Sequence, residues 1–289
     1  MCKLFCILDI EDQTAAEKFA RKAVPFVTRT DNHGMGIMRL GENGVHIQRW
    51  LDIPKRSFDT HPDIESPYKE MLRMESNEMG HRSDRLDAIA IHGRFATCGI
   101  SLENTHPFYL GGSALMHNGI ISNVAPADNT LSTCDSEVLL HRYRDFEVYS
   151  SPLNLTEAMR DVHGYYAAMV FNDDGVVDIW RDEQADLVLA HVRGVGTVIS
   201  TTEDIIYRTA KSAGKKVEFC YPVLAFTHLR WQRGKSPKML GFEKPAMQYI
   251  SEKGELTPLD NRPWWQKEEE EEIKKFKSYD NDTARWKGV

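Results

Sequence analysis

The sequence predicts an α+β protein in which two mainly antiparallel sheets pack between helical layers. Short apolar runs bounded by turn residues recur along the chain, and runs with helical spacing stand between them. The stretch 166–201 adds four strand-like runs in succession, followed at once by another helical one.

Cys2 to Leu8 reads as a short apolar strand, which puts position 2 at the end of a sheet. Thr14 to Phe26 has helical spacing. Gly36–Leu40 and Val45–Leu51 form a hairpin across Gly41 and the turn-forming pair Asn43-Gly44. From Asp52 to Arg85 the chain is polar, with Pro54, Pro62 and Pro67 ahead of a helix over Tyr68–Met79, and this reads as a surface excursion. Ala88–His92 is a strand, a polar loop runs through Phe108, and Ser113–His117 is a second strand. Asp135–Tyr143 and Leu155–His163 are expected helices, the second capped by Asn154 or Thr156. Strands follow at Tyr166–Phe171, Val176–Arg181, Leu187–Val192 and Thr197–Thr201. A helix over Glu203–Ala213 and strands through Trp231 close the compact part.

The expected division is therefore a domain over 2–233 and a charged extension over 234–289. The five-glutamate run in KEEEEEIKKFK reads as a solvated helix face or a disordered tail. Trp264, Trp265 and Trp286 give the second reading, docking onto a partner or another subunit.

Composition narrows the function classes. With 41% hydrophobic and 27% charged residues among 289, the chain has the makeup of a soluble globular protein. A net charge of -7 and no dominant basic stripe argue against nucleic acid as a partner. No apolar run has the length of a membrane span, and MCKLFCILDIEDQ lacks a basic leader, so the expected location is cytoplasmic with no membrane partner. Five cysteines without a CxxC pair indicate neither a disulfide framework nor a zinc knuckle. They are expected to be mostly reduced, buried thiols.

The chemistry concentrates at position 2 and between residues 92 and 137. Removal of Met1 would give Cys2 a thiol and an α-amino group on one residue, a nucleophile with its own proton acceptor. Downstream come His92-Gly93-Arg94-Phe95-Ala96-Thr97-Cys98-Gly99, Asn104-Thr105-His106-Pro107-Phe108, His117-Asn118-Gly119-Ile120-Ile121-Ser122-Asn123 and Cys134-Asp135-Ser136-Glu137. In order and spacing these motifs, with Cys2, resemble the class II glutamine amidotransferases, whose glutaminase domain belongs to the N-terminal nucleophile hydrolases. The resemblance extends over residues 2 to 230, and Asp31-Asn32-His33-Gly34-Met35-Gly36-Ile37 adds a looser match.

That resemblance implies a four-layer αββα sandwich and L-glutamine as substrate, with Phe95 and Thr97 among the substrate-binding residues. Glutamine is a zwitterion with an amide at its far end, so its site needs a cation and an anion. Arg94 suits the α-carboxylate through its planar fork, and Asp135 suits the α-amino group. Taken singly, each is better explained as a structural ion pair or a helix cap, and it is the motif set that reverses the order of the two readings. Thiolate attack on the amide creates an oxyanion, for which the Asn118 side chain and the Gly119 backbone N–H are the candidate donors. Asn-Gly is also a common hairpin turn. Here it is read as ending an apolar strand.

Two positions depart from the family pattern, Gly93 where Thr is common and Cys98 where His is common, and they leave substrate choice open. His92, His106 and His117 match no familiar metal-ligand spacing, and neither metal nor organic cofactor is expected. Family members generally fuse the glutaminase to a synthase domain. The extension here suggests a stand-alone form that passes ammonia to a separate synthase, and a homo-oligomer stays open. Hydrolysis of a γ-glutamyl or other amide, and a non-catalytic glutamine-binding or assembly protein, are the competing readings.

Overall fold

Side-chain alternation along β1 (Lys3–Leu8) fixes the layering of the molecule. Phe5 and Ile7 point into a core shared with helices, whereas Leu4, Cys6 and Leu8 point into a core shared with a second sheet. The computed structural model describes residues 2–28, 33–51, 85–97, 99–123, 130–149, 162–232, 235–241, 248–250 and 256–258. The helix expected over Tyr68–Met79, most of that over Leu155–His163, Cys98 and the tryptophans of the extension lie outside them.

After β1 come α1 (Gln13–Thr28), the hairpin β2 (Met35–Gly41) and β3 (Gly44–Trp50), and β4 (Leu86–Gly93). Then follow β5 (Phe108–Leu110), β6 (Ser113–Ile121), α2 (Asp135–Tyr149), β7 (Gly164–Asn172) and β8 (Val176–Arg181). β9 (Val188–Val192), β10 (Gly196–Ser200), α3 (Glu203–Ala213), β11 (Val217–Pro222), β12 (Thr227–Gln232) and β13 (Lys235–Gly241) complete the series.

One sheet has seven strands in the order β11-β9-β10-β1-β4-β2-β3, and the other has six in the order β13-β12-β8-β7-β6-β5. Every neighbouring pair in both is antiparallel. α1 and α3 cover the outer face of the first sheet through Phe19, Ala23, Val27, Ile205 and Ile206. α2 covers the outer face of the second through Leu139, Leu140 and Tyr143. Between the sheets, Met38, Leu40, Ala88 and Ala90 meet Met116, Ala167, Met169 and Phe171. The result is the expected αββα order.

Local signals set the helix ends. The Asp12 carboxylate accepts the Ala15 N–H at 2.8 Å ahead of α1, as an N-cap does. Gly214 closes α3 in a left-handed conformation (φ 63°), returning its N–H to Ala210 and Lys211. Two strand limits differ from expectation. β6 continues past His117 to Ile121 because its full length pairs with β7, so Asn118-Gly119 lies inside a strand. β5 occupies what reads as loop, paired to β6 through Phe108, Tyr109 and Leu110.

Contacts divide the chain into Met1–Glu243 and Lys244–Val289. The first unit extends past Arg233 because β13 pairs with β12 from Gln232↔Lys235 onward. The second contains, among its described residues, the antiparallel pair β14 (Gln248–Ile250) and β15 (Leu256–Pro258). Among the described residues no helix is long and apolar enough to cross a membrane.

A buried polar network ties α2 to the second sheet. Asp178 accepts from His228 Nε2 at 2.7 Å and from the Tyr143 hydroxyl at 3.0 Å. Tyr143 in turn accepts from Asn172, whose Oδ1 takes the Ser113 hydroxyl at 2.6 Å. Asp178 and His228 have no exposed surface, and the His228 ring stacks on Trp180 at 4.7 Å. Removing one member of such a set strips partners from groups that water does not reach. Asp178→Ala is expected to lower stability by about 3–5 kcal/mol, read from urea denaturation.

Candidate active site

Cys2 lies just outside β1, on the side of the strand that faces the second sheet. Lys3 pairs with Gly93 of β4, which brings position 2 beside the segment leaving β4. There the Phe95 N–H donates to Cys2 Sγ at 3.2 Å, and the thiol donates to the Phe95 carbonyl at 3.4 Å. Cys6, four residues on, is wholly buried between the sheets, and burial pushes its thiol far above the ordinary range. One strand thus carries an accessible thiol and an inert one.

The segment after β4 is pinned from several directions. Arg94 N–H donates to the Gly34 carbonyl at 2.8 Å, and Ala96 N–H donates to His33 Nδ1 at 2.9 Å. The Arg94 side chain is 2% exposed and donates to the Gly99 carbonyl at 2.9 Å. Burial lowers its pKa, and the nearby Cys2 charge acts in the opposite sense. Gly93 has a steric cause: a Cβ there would lie 2.3 Å from the Val27 carbonyl of α1, so the close approach of the helix end requires glycine.

Gly119 sits at φ 148°, and a Cβ on it would fall 2.0 Å from the Tyr165 carbonyl. Its neighbour Asn118 is 4% exposed, and the Asn118 Oδ1 finds no hydrogen-bond partner among the described residues. Opposite them, α2 starts at Asp135. The Asp135 Oδ2 accepts the Ile121 N–H at 2.7 Å, and Oδ1 lies 3.3 Å from the Ser136 hydroxyl. That hydroxyl also meets His117 Nδ1 at 2.9 Å. Glu137 accepts the Leu131 and Ser132 N–H groups at 2.9 and 2.6 Å, which fastens the loop ahead of the helix.

Three histidines back the site. His92 Nε2 donates to the His117 carbonyl at 3.1 Å, joining the two sheets. The His106 ring lies 4.2 Å from that of His92, and neither of its nitrogens has a hydrogen-bond partner among the described residues. Burial is the largest cause holding all three pKa values below the ordinary one, to about 3 for His92 and well below for His106. For His117 the charges of Asp135 and Asp182 partly oppose it. At neutral pH the three rings are uncharged. The expectation that they are satisfied strand-end or loop histidines fails for His106.

Cys2, Arg94, Phe95, Thr97, Asn118, Gly119 and Asp135 all line one cavity of about 250 Å³. His106, His117, Cys134, Ser136 and Tyr165 complete its wall, and sequence reasoning had not assigned these to the site. His106, His117 and Ser136 stood within the recognised motifs, whereas Tyr165 had no motif to mark it. Cys134 is disulfide-bonded, an exception to the expectation of mostly reduced thiols, while Cys2 is a reduced thiol. Of these two cavity-lining cysteines, Cys2 is the one that carries a thiol. Among the described residues no group of three or more His, Cys, Asp or Glu side chains is arranged to hold a metal ion.

Two antiparallel sheets lie between helical layers, and Cys2 stands just ahead of a central strand of the first sheet. Within that fold the chain resembles the class II glutamine amidotransferases. Its fold matches the glutamine phosphoribosylpyrophosphate amidotransferase from B. subtilis, solved with ADP and GMP, at a TM-score of 0.60 and 16% identity, over 85% of this chain and 50% of that one. A second structure, an allosteric regulatory enzyme of purine biosynthesis, matches at 0.59 and 14% identity, over 84% and 49%. In sequence, the isomerizing glutamine–fructose-6-phosphate aminotransferase of Rhizobium meliloti is 32% identical over 116 residues, which are 36% of this chain and 19% of that protein. The chain thus spans about half the length of the matched structures and a smaller share of the curated relative. No protein-family model matches it.

The histidines give the site a pH limit. Unfolded, each titrates near 6.5, and folded, each binds its proton only at lower pH. Their contribution is therefore complete above about pH 6.5 and is lost as the pH falls toward the folded values. The urea midpoint is expected to drop between pH 7 and 5, less steeply in His92→Gln than in the parent chain. Equal slopes would remove His92 as a cause.

Proposed function

We propose that the chain is a glutaminase of the class II amidotransferase kind, releasing ammonia from L-glutamine for use by an acceptor enzyme. The observation that supports this reading is one cavity shared by a reduced thiol, the Asn118-Gly119 pair, a guanidinium and a carboxylate. Arg94 holds the substrate α-carboxylate and Asp135 its α-ammonium group, with Phe95 and Thr97 along the bound chain. The side-chain amide then lies toward Cys2.

Removal of Met1 gives Cys2 an α-amino group, which accepts the thiol proton directly or through water. The thiolate attacks the amide carbon, and the resulting oxyanion receives hydrogen bonds from the Asn118 side chain and the Gly119 N–H. Collapse breaks the C–N bond, the nitrogen takes the proton and leaves as ammonia, and a γ-glutamyl thioester remains. Water attacks this thioester, the C–S bond breaks, and glutamate departs as the thiol regains its proton.

A glutamine-mimicking electrophile should modify Cys2, with intact mass showing Met1 absent, and Cys2→Ala should take no label and release no ammonia. Modification of Cys6 or Cys220 instead would overturn the assignment. Asn118→Ala should lower kcat by roughly 10²- to 10³-fold while the labelled position stays the same.

A further inference from the structure

We propose that Ser136 and His117 are positioning residues, joined to Asp135 in a one-way hydrogen-bond chain that fixes its carboxylate and links it to the strand bearing Gly119. The role of Asp135 toward the substrate amine rests on the glutaminase reading. The chain itself rests on geometry.

A carboxylate only accepts hydrogen bonds. The Ile121 N–H occupies one Asp135 oxygen at 2.7 Å, and the Ser136 hydroxyl stands 3.3 Å from the other. Unless that hydroxyl donates to it, lone pairs would face each other in a site where Ser136 is 2% exposed. Serine has a single hydroxyl proton. Its 2.9 Å contact with His117 Nδ1 must then be donated by the imidazole. The order His117 Nδ1–H to Ser136 Oγ–H to Asp135 Oδ1 follows, and it assigns the neutral His117 to the Nδ1–H tautomer.

His117 Nε2 is consequently an acceptor, and it has no hydrogen-bond partner among the described residues. It lies 2.9 Å from where a Cβ on Gly119 would stand. The imidazole therefore fills the space between the amine-binding carboxylate and the oxyanion glycine. With the ring at 2% exposure, movement of either half displaces a buried polar group. The chain holds the two substrate-binding halves in register.

The first test is ¹⁵N NMR of the ring nitrogens in the full chain. The Nδ1–H tautomer of His117 is expected, and an Nε2–H tautomer overturns the proposal whatever the protein's activity. The second compares hydrolysis of glutamine with that of its des-amino analogue, 5-amino-5-oxopentanoate. In Ser136→Ala, KM for glutamine should rise roughly 10-fold, kcat should change far less, and discrimination against the analogue should shrink by the same factor. Ser136→Thr, which keeps a hydroxyl, should restore it.

Equal losses toward both compounds would reduce Ser136 to a structural role and overturn the proposal. Should Ser136→Ala fail to fold, His117→Asn keeps a donor in place of Nδ1–H and His117→Leu does not. Discrimination is expected to survive in the first and collapse in the second, and identical behaviour counts against the chain. A parent protein with the Nδ1–H tautomer but neither glutamine hydrolysis nor label at Cys2 would sink the glutaminase reading and leave the hydrogen-bond chain standing.

Discussion

Everything at the site depends on holding the start of the chain in the middle of a sheet. β1 is the fourth of seven strands, paired to β10 on one side and β4 on the other. Leu4, two residues past Cys2, makes the grip explicit: its carbonyl accepts from Thr201 N–H at 3.1 Å and the Ser200 hydroxyl at 3.0 Å, and its N–H donates to Thr201 Oγ1 at 3.4 Å. Ordering a segment outside a strand costs backbone entropy. Here pairing and burial on both sides meet that cost, and Sγ arrives at a fixed place against Phe95.

The same sheet pairing sorts the cysteines by chemistry. Cys2 and Cys6 share a strand face, yet one lies at the strand's outer end and the other in the dry layer between sheets. A thiol surrounded by Met38, Ala90 and Met116 resists ionisation, since the charged form loses its hydration. Cys134 reaches the cavity, but its disulfide leaves it no thiol proton to lose. Position within the fold thus singles out one sulfur of the three.

Polar groups are placed at the site at some cost in stability. Among the described residues, buried nitrogens of His106 and His117 and the Asn118 Oδ1 have no hydrogen-bond partner, and Gly119 adopts a conformation that an L side chain rarely reaches. Such features gather where a binding surface is organised before its ligand arrives. The rest of the molecule offsets them: three separate apolar cores and the satisfied network around Asp178 give the sandwich a rigid frame. That frame allows a few unsatisfied groups to be held toward one small cavity.

The sequence by itself determined the layers, because strand alternation and helical spacing are local patterns with periods of 2 and 3.6 residues. It also marked Cys2, Arg94, Asn118, Gly119 and Asp135, because the order and spacing of their motifs together resemble the class II glutamine amidotransferases, although no one of these residues would stand out alone. Only the tertiary structure decided the continuation of β6 through Asn118-Gly119, which needs β7 as a partner. It likewise decided the steric demand at Gly93, which comes from the end of α1, and the line from His117 through Ser136 to Asp135. Each depends on atoms supplied by elements distant in the chain, and contact across space has no period that a sequence pattern can display.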